Sequence, residues 1–270
     1  MAKKIVQRCL NNIIVVCSTK GGEGKSMLSI QKLPLLFIDK NIFIFEVDNN
    51  NNSKKLIQNS EKVNFKTFRV NDGLDALDEV EFNTLASKDD CVNIIDCGGG
   101  DDSLKVLNIL KDKNLSGLTY VIPMTNSISN VDNAIQTIDT ILEFDKTANI
   151  NLVLNRCPAY DFIAIKEKFK ALFGNDEFNL PSRIEEFQNK VKNINYILET
   201  DLPDIISSKH QYSLLDAYLK AKLIMENIDS IEASWLEEGK DVYLKNKKLN
   251  RINEHIYKYC NTFIENFILD

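Results

Sequence analysis

The residues with the clearest chemistry are Lys20-Gly21-Gly22-Glu23-Gly24-Lys25-Ser26. Glycines at such spacing let backbone N–H groups converge on anionic oxygens, and a helix opening behind them adds partial positive charge. Lys25 has the reach to bind β and γ phosphates, and the Ser26 hydroxyl is a Mg²⁺ ligand in such loops. The common GxxxxGK[ST] spacing is not met, because its first glycine would fall on Thr19. A glycine-rich strand-to-helix turn that merely carries lysines would share this composition. The ending Gly-Lys-Ser between an apolar strand and a helical stretch favours phosphate binding. Only His210 and His255 are present, neither in a motif, so histidine catalysis is a poor starting point.

The elements around this loop alternate. Asn12–Cys17, Asn41–Val47, Asn64–Val70, Val92–Asp96, Gly117–Pro123 and Ile150–Asn155 read as strands. Several are apolar on both parities, as strands covered on both faces are. Lys25–Phe37, Gly73–Ser87, Ser103–Lys113 and Asn130–Lys146 read as helices, with Pro34 expected to kink or end the first. This alternation predicts an α/β fold with a mostly parallel twisted sheet and helices on both faces. Beyond Asn155, Phe162–Phe173 and Arg183–Lys192 look helical and Ile194–Leu198 could add a strand. Ser213–Glu238 and Val242–Ile268 read as long helices broken at Gly239.

The chain has 270 residues, 44% of them hydrophobic and 27% charged, which fits one large globular domain rather than a disordered chain. We expect a single domain over 1–270, with a core of about 10–205 and a helical part of about 206–270. The net charge of −6 excludes a nucleic-acid coat, so any DNA contact must be a local patch. No apolar run is long enough to span a bilayer. The opening Met1-Ala-Lys-Lys lacks a following apolar region, so no export signal is expected. The cysteines at 9, 17, 91, 97, 157 and 260 lack zinc-type pairing and read as core residues in a reducing cytoplasm.

Lys20-Gly-Gly-Glu-Gly-Lys-Ser resembles the deviant Walker A loop of the ParA/MinD ATPases, and further motifs over about residues 10–160 extend the likeness. Glu46-Val-Asp48 resembles the D-x-D first switch, Asn93-Ile-Ile-Asp96-Cys-Gly98 the Walker B strand end, and Tyr120-Val-Ile-Pro-Met the strand after the second switch. Leu152-Val-Leu-Asn155-Arg156 resembles the adenine-reading strand. Leu33-Pro34, Glu46, the Asn49 cluster, Asp96-Cys-Gly and Leu154-Asn155-Arg156 are similar to StbB-type plasmid-maintenance proteins. The resemblance implies an ATP-dependent homodimer. Lys25 would act on the phosphates of its own subunit, and Lys20 would reach across to those of the partner. Asp48 would orient the attacking water, while Ser26 would hold Mg²⁺ with Asp96 and Asp48 acting through water. Residues 20–27, with Asn155 and Arg156, would line the nucleotide. Asp48 and Asp96 also suit plain loop or turn carboxylates, and Asn155 a turn asparagine.

Several positions depart from that pattern. Glu46 replaces the usual aspartate. Glu23 sets a carboxylate beside the phosphate site or the dimer seam, or pairs with Lys20 in cis. Met27 replaces a hydroxyl that would reach the α-phosphate. Gly98-Gly-Gly, in place of a proline, suggests a looser second switch. Near the C-terminus, Lys240, Lys245, Lys247, Lys248 and Arg251 form a local basic excess, suited to nonspecific DNA or to a solvated helix face. The last helix lacks the cationic face of a membrane-targeting segment, so packing against the domain or a partner is expected. The resulting reading is a slow, Mg-dependent, dimer-coupled ATP hydrolase that partitions or positions plasmid DNA or another cargo through a protein adaptor. The alternative is a weakly hydrolysing nucleotide-binding scaffold in conjugation or partition. Lys20 disfavours a P-loop kinase.

Overall fold

The computed structural model describes residues 12–49, 53–86 and 90–269. Cys9, Asn50–Asn52 and the expected helix end at Ser87 lie outside them. Seven strands form one sheet: β1 (Ile13–Val16), β2 (Asn41–Val47), β3 (Val63–Phe68), β4 (Cys91–Cys97), β5 (Thr119–Met124), β6 (Asn149–Cys157) and β7 (Asn193–Leu198). Their order is β3-β2-β4-β1-β5-β6-β7 and every pair is parallel. Alternation along β1 explains the double-sided burial. Ile13, Val15 and Cys17 enter one core layer, Ile14 and Val16 the other, and each of these residues is at most 3% exposed. The chain runs outward from β1 in both directions, which leaves a crevice at the carboxyl ends of β1, β4 and β5.

Helices cover both faces. One face carries α1 (Gly73–Ala86), α2 (Asp101–Asp112), α3 (Ile128–Phe144), α4 (Phe162–Lys168), α5 (Lys170–Phe173) and α6 (Glu185–Gln188). The other carries α7 (Leu202–His210), α8 (Leu214–Met225) and the far end of α10 (Lys240–Asn266), with α9 (Ile228–Glu237) attached to α8 and α10. The expected Lys25–Phe37 helix is replaced, beyond its first two residues, by a wide π-type turn over Met27–Lys32 and a 3₁₀ turn over Leu33–Phe37. Pro34, lacking an N–H, sits at the start of the 3₁₀ turn and ends the wider ladder.

The other differences are local. Phe162–Phe173 breaks at Phe169, and of Arg183–Lys192 only Glu185–Gln188 is α-helical. Ser213–Glu238 bends near Asn227, whose side-chain amide donates to Leu223 O at 2.9 Å. Gly239 is the break expected, at φ +108°. In α10, Ile256, Cys260 and Phe263 are buried in the second core layer, so its far half packs against the domain. No described helix is long and apolar enough to cross a membrane.

Candidate functional site

β1 delivers the glycine loop to the crevice. Gly22 and Gly24 sit at φ +82° and +92°, the left-handed region that glycine enters without steric cost. Lys25 is 6% exposed, and its ammonium donates to Lys20 O at 2.9 Å, curling the loop around its own cation. Ser26 follows in the same helical turn. Met27, next in line, heads the π-type turn.

The acidic side comes from β2 and β4. Asp96 lies beside Val16 in register and is 1% exposed. Neither of its carboxylate oxygens has a hydrogen-bond partner among the described residues. Burial raises its pKa to about 7, and Glu46 adds to the rise, while the nearby Ser26 and Ser29 hydroxyls and the Lys25 charge oppose it. Asp48, just past β2, is also buried, and its carboxyl carbon lies 2.9 Å from where a Cβ on Gly98 would stand. Glu46, in register with Asp96 on the neighbouring strand, accepts from the backbone and side chain of Ser53 and from Thr67 Oγ1 at 3.2 Å. It anchors the segment after β2.

The glycines at 98–100 have a steric reason. A Cβ on Gly99 would stand 3.0 Å from Gly21 Cα, so the strand end after β4 rests directly on the phosphate loop. Ser103 Oγ donates to Gly98 O at 2.6 Å and holds this turn. Gly98 is held to glycine by the Asp48 and Asp102 side chains, Gly99 by the phosphate-loop backbone and Gly100 by its φ of +61°. Asn49 joins the two strand ends: its N–H and side-chain amide donate to Asp102, and its Oδ1 accepts from Val70 N at 3.3 Å.

The opposite wall was not legible as a site. Glu23 is 4% exposed, and its carboxylate accepts from Thr125 N at 2.8 Å and Thr125 Oγ1 at 2.9 Å. It therefore pairs with Thr125 and not with Lys20. The Lys20 ammonium donates instead to Ser129 Oγ at 2.9 Å and to Asn130 Oδ1, at the start of α3. Asn155, at the end of β6, donates from Nδ2 to Glu23 O at 2.9 Å, and so steadies the loop backbone. Arg156 is exposed at φ +63°, where the β6–β7 register shifts. The fold thus gathers Lys20 to Met27, Asp48, Asp96 and Asn155 around one crevice. Thr125, Ser129 and Asn130 went unrecognised; their one sequence signal was a Ser127 helix cap following a strand end.

The basic residues of α10 occupy its first half. Lys240, Lys245, Lys247, Lys248 and Arg251 are all exposed. Helical periodicity gathers Lys240, Lys247, Lys248 and Arg251 on one side and turns Lys245 away. Lys247 is 3.5 Å from Glu232 and 2.8 Å from the Tyr243 hydroxyl.

A parallel sheet with a glycine-rich loop at its crevice, followed by a helical segment, defines a P-loop nucleotide-binding fold. Among solved structures the chain is similar to the MinD cell division protein of Aquifex aeolicus, with TM-score 0.51 and 14% identity over 76% of this chain and 89% of that one. The MinC:MinD complex of the same organism gives TM-score 0.50 and 14% identity over 73% and 86%. Apo McdA of Cyanothece gives 0.48 and 16% over 73% and 90%. No protein-family model matches the sequence, and no curated protein sequence does. The chain shares the fold of these MinD structures.

Proposed function

We propose that this chain is a Mg-dependent ATP hydrolase that switches between monomer and homodimer and thereby partitions or positions plasmid DNA or another cargo. The observation that carries the reading is the pair of orphaned Asp96 oxygens, buried beside Ser26 and Lys25. Leaving such a carboxylate unpartnered is costly unless a ligand completes the site. Ser26 and, through water, Asp96 and Asp48 fit a hexaqua-type ion that takes few protein ligands. When bound, Mg²⁺ supplies charge neutralisation at the phosphates.

The protein's own groups do the positioning. Lys25 leaves Lys20 O for the β and γ phosphates, with the backbone of Gly21 to Gly24 as cradle. Asp48 orients the attacking water, Lys20 contributes from the facing subunit, and Asn155 with Arg156 borders the base. Lys240, Lys245, Lys247, Lys248 and Arg251 offer a nonspecific DNA surface, and an adaptor protein sets the cargo. We read 1–270 as one domain, with the part from about 206 onward seated on the core of about 10–205 through Ile256, Cys260 and Phe263. The described cysteines are free and buried, which supports a reducing, cytoplasmic setting.

A second reading, a weakly hydrolysing nucleotide-binding scaffold, draws support from Lys20 being engaged within its own chain. Turnover and nucleotide affinity, measured on the wild type, Lys25→Ala and Asp48→Ala, test both. The hydrolase reading expects Lys25→Ala to lose binding and Asp48→Ala to bind but not turn over. Unchanged affinity in Lys25→Ala would sink the phosphate-loop assignment, and equal slow turnover in Asp48→Ala would favour the scaffold.

A further inference from the structure

Glu23 and Lys20 sit three residues apart, yet they meet only through a chain of side chains on the facing wall. Thr125 Oγ1 donates its single proton to the Glu23 carboxylate at 2.9 Å, so toward Asn130 that oxygen can only accept. Asn130 Nδ2 supplies the donor. This fixes the amide orientation, and Asn130 Oδ1 is thereby turned toward the Lys20 ammonium, which also reaches Ser129 Oγ at 2.9 Å. Glu23 and Asn130 are 4% and 6% exposed, so water competes weakly for these contacts. On the other flank, Thr19 N donates to Thr137 Oγ1 at 3.2 Å, pinning the loop's entry to the same helix.

We propose that Glu23, Thr125 and Asn130 are positioning residues that hold Lys20 parked on α3 of its own subunit, and that dimerisation must draw it off. Among the described residues the parked ammonium has only neutral oxygens as partners. Against an anionic phosphate the ammonium gains a charge–charge attraction that neutral oxygens do not supply. Exchange is therefore favourable once a partner's nucleotide faces Lys20, and unfavourable before. The circuit acts as a threshold: it weakens dimers formed without a correctly placed triphosphate. It also gives Glu23 a role, because its charge sets the direction of every hydrogen bond down to Lys20. This inference rests on the dimeric ATPase reading for the trans action of Lys20, but not for the parking itself.

The test uses the full chain and has two arms. In the first, nucleotide-free protein is treated with a limiting amine-acylating reagent, and Lys20 modification is measured by mass spectrometry against exposed Lys245. Thr125→Val keeps the Thr125 N–H contact to Glu23 but removes the hydroxyl relay, so Lys20 labelling rises severalfold. Asn130→Ala does the same, while Thr125→Ser stays at the wild-type level. In the second arm, sedimentation with Mg·ATP measures dimer affinity. Thr125→Val tightens the dimer roughly ten- to a hundredfold, the equivalent of one modest hydrogen bond in each of the two subunits no longer opposing release. Unchanged Lys20 labelling in Thr125→Val overturns the parking. Increased labelling with a dimer that is unchanged or weaker overturns the threshold and leaves a purely structural contact. A labelling response with no ATP-dependent dimer in any variant overturns the dimeric reading and the threshold together, while the parking of Lys20 stands.

Discussion

Gly24→Ala perturbs the phosphate loop at the point where two constraints coincide. The residue holds φ +92°, and an added Cβ would lie 2.2 Å from Asn155 Nδ2. Left-handed backbone costs a residue with a Cβ roughly 1–2 kcal/mol. Displacing Asn155 also breaks its bond to Glu23 O, worth about 1 kcal/mol net. Together these predict a loss of about 2–3 kcal/mol, borne by the loop. Thermal unfolding should fall by roughly 5–10 °C for a chain of this size, and nucleotide affinity should drop with it. Adding Asn155→Ala removes the side chain that is struck, so the double variant should lose less than the sum of the singles. The backbone component would remain in both. Gly24→Ala with wild-type melting and nucleotide binding would refute the reasoning, as would strict additivity with Asn155→Ala.

Lys32 is buried beside Leu198 O and Tyr259, and burial lowers its pKa to about 8. At this site the unfolded chain holds a proton that the folded one loses from pH 8 upward, so the Lys32 contribution to stability rises between pH 8 and pH 10 by up to ~1.4 kcal/mol per unit. Buried thiols, whose pKa burial raises, act in the opposite sense in wild type and variant alike, so the denaturant midpoint of wild type should gain on that of Lys32→Met across that window. Asp96→Asn removes an unpartnered buried charge, so the nucleotide-free protein should gain about 1–3 kcal/mol in denaturant melts while Mg-dependent turnover is lost. A destabilised Asp96→Asn would count against the orphan assignment. Replacing Lys240, Lys248 and Arg251 with Gln should weaken duplex DNA binding equally across sequences and reduce the salt slope by about two to three. Equal affinity in a salt titration would make these residues a solvated face only.

How much of this was legible in the sequence follows from which interactions are local. Strands such as Ile13–Val16 and Asn41–Val47 declare themselves because both parities are apolar, and the loop declares itself because its glycines and lysines are contiguous. Helix α7 carries only short-range signals, Pro203 in its first turn and Thr200 Oγ1 accepting from Leu202 N at 3.2 Å. The bend at Asn227 carries no glycine or proline to mark it. The π-type turn at Met27–Lys32 reflects tertiary demands: Gln31 Oε1 accepts from Leu214 N at 2.7 Å, and Lys32 reaches Tyr259. Such partners lie well over a hundred residues away and leave no local pattern. The same holds for Glu23, whose partner Thr125 is remote in sequence. Its position invites Lys20 as partner, and only the packing of the chain after β5 against the loop supplies Thr125 instead.

The central claim, that ATP drives self-association through the phosphate loop, is tested most directly by sedimentation of Asp48→Ala with Mg·ATP and with Mg·ADP. This variant should bind ATP without consuming it, so the dimer accumulates. The account predicts a dimer at micromolar protein with ATP and a monomer with ADP, and Lys20→Ala in the same background should remain monomeric while still binding ATP. One and the same species with both nucleotides would contradict it.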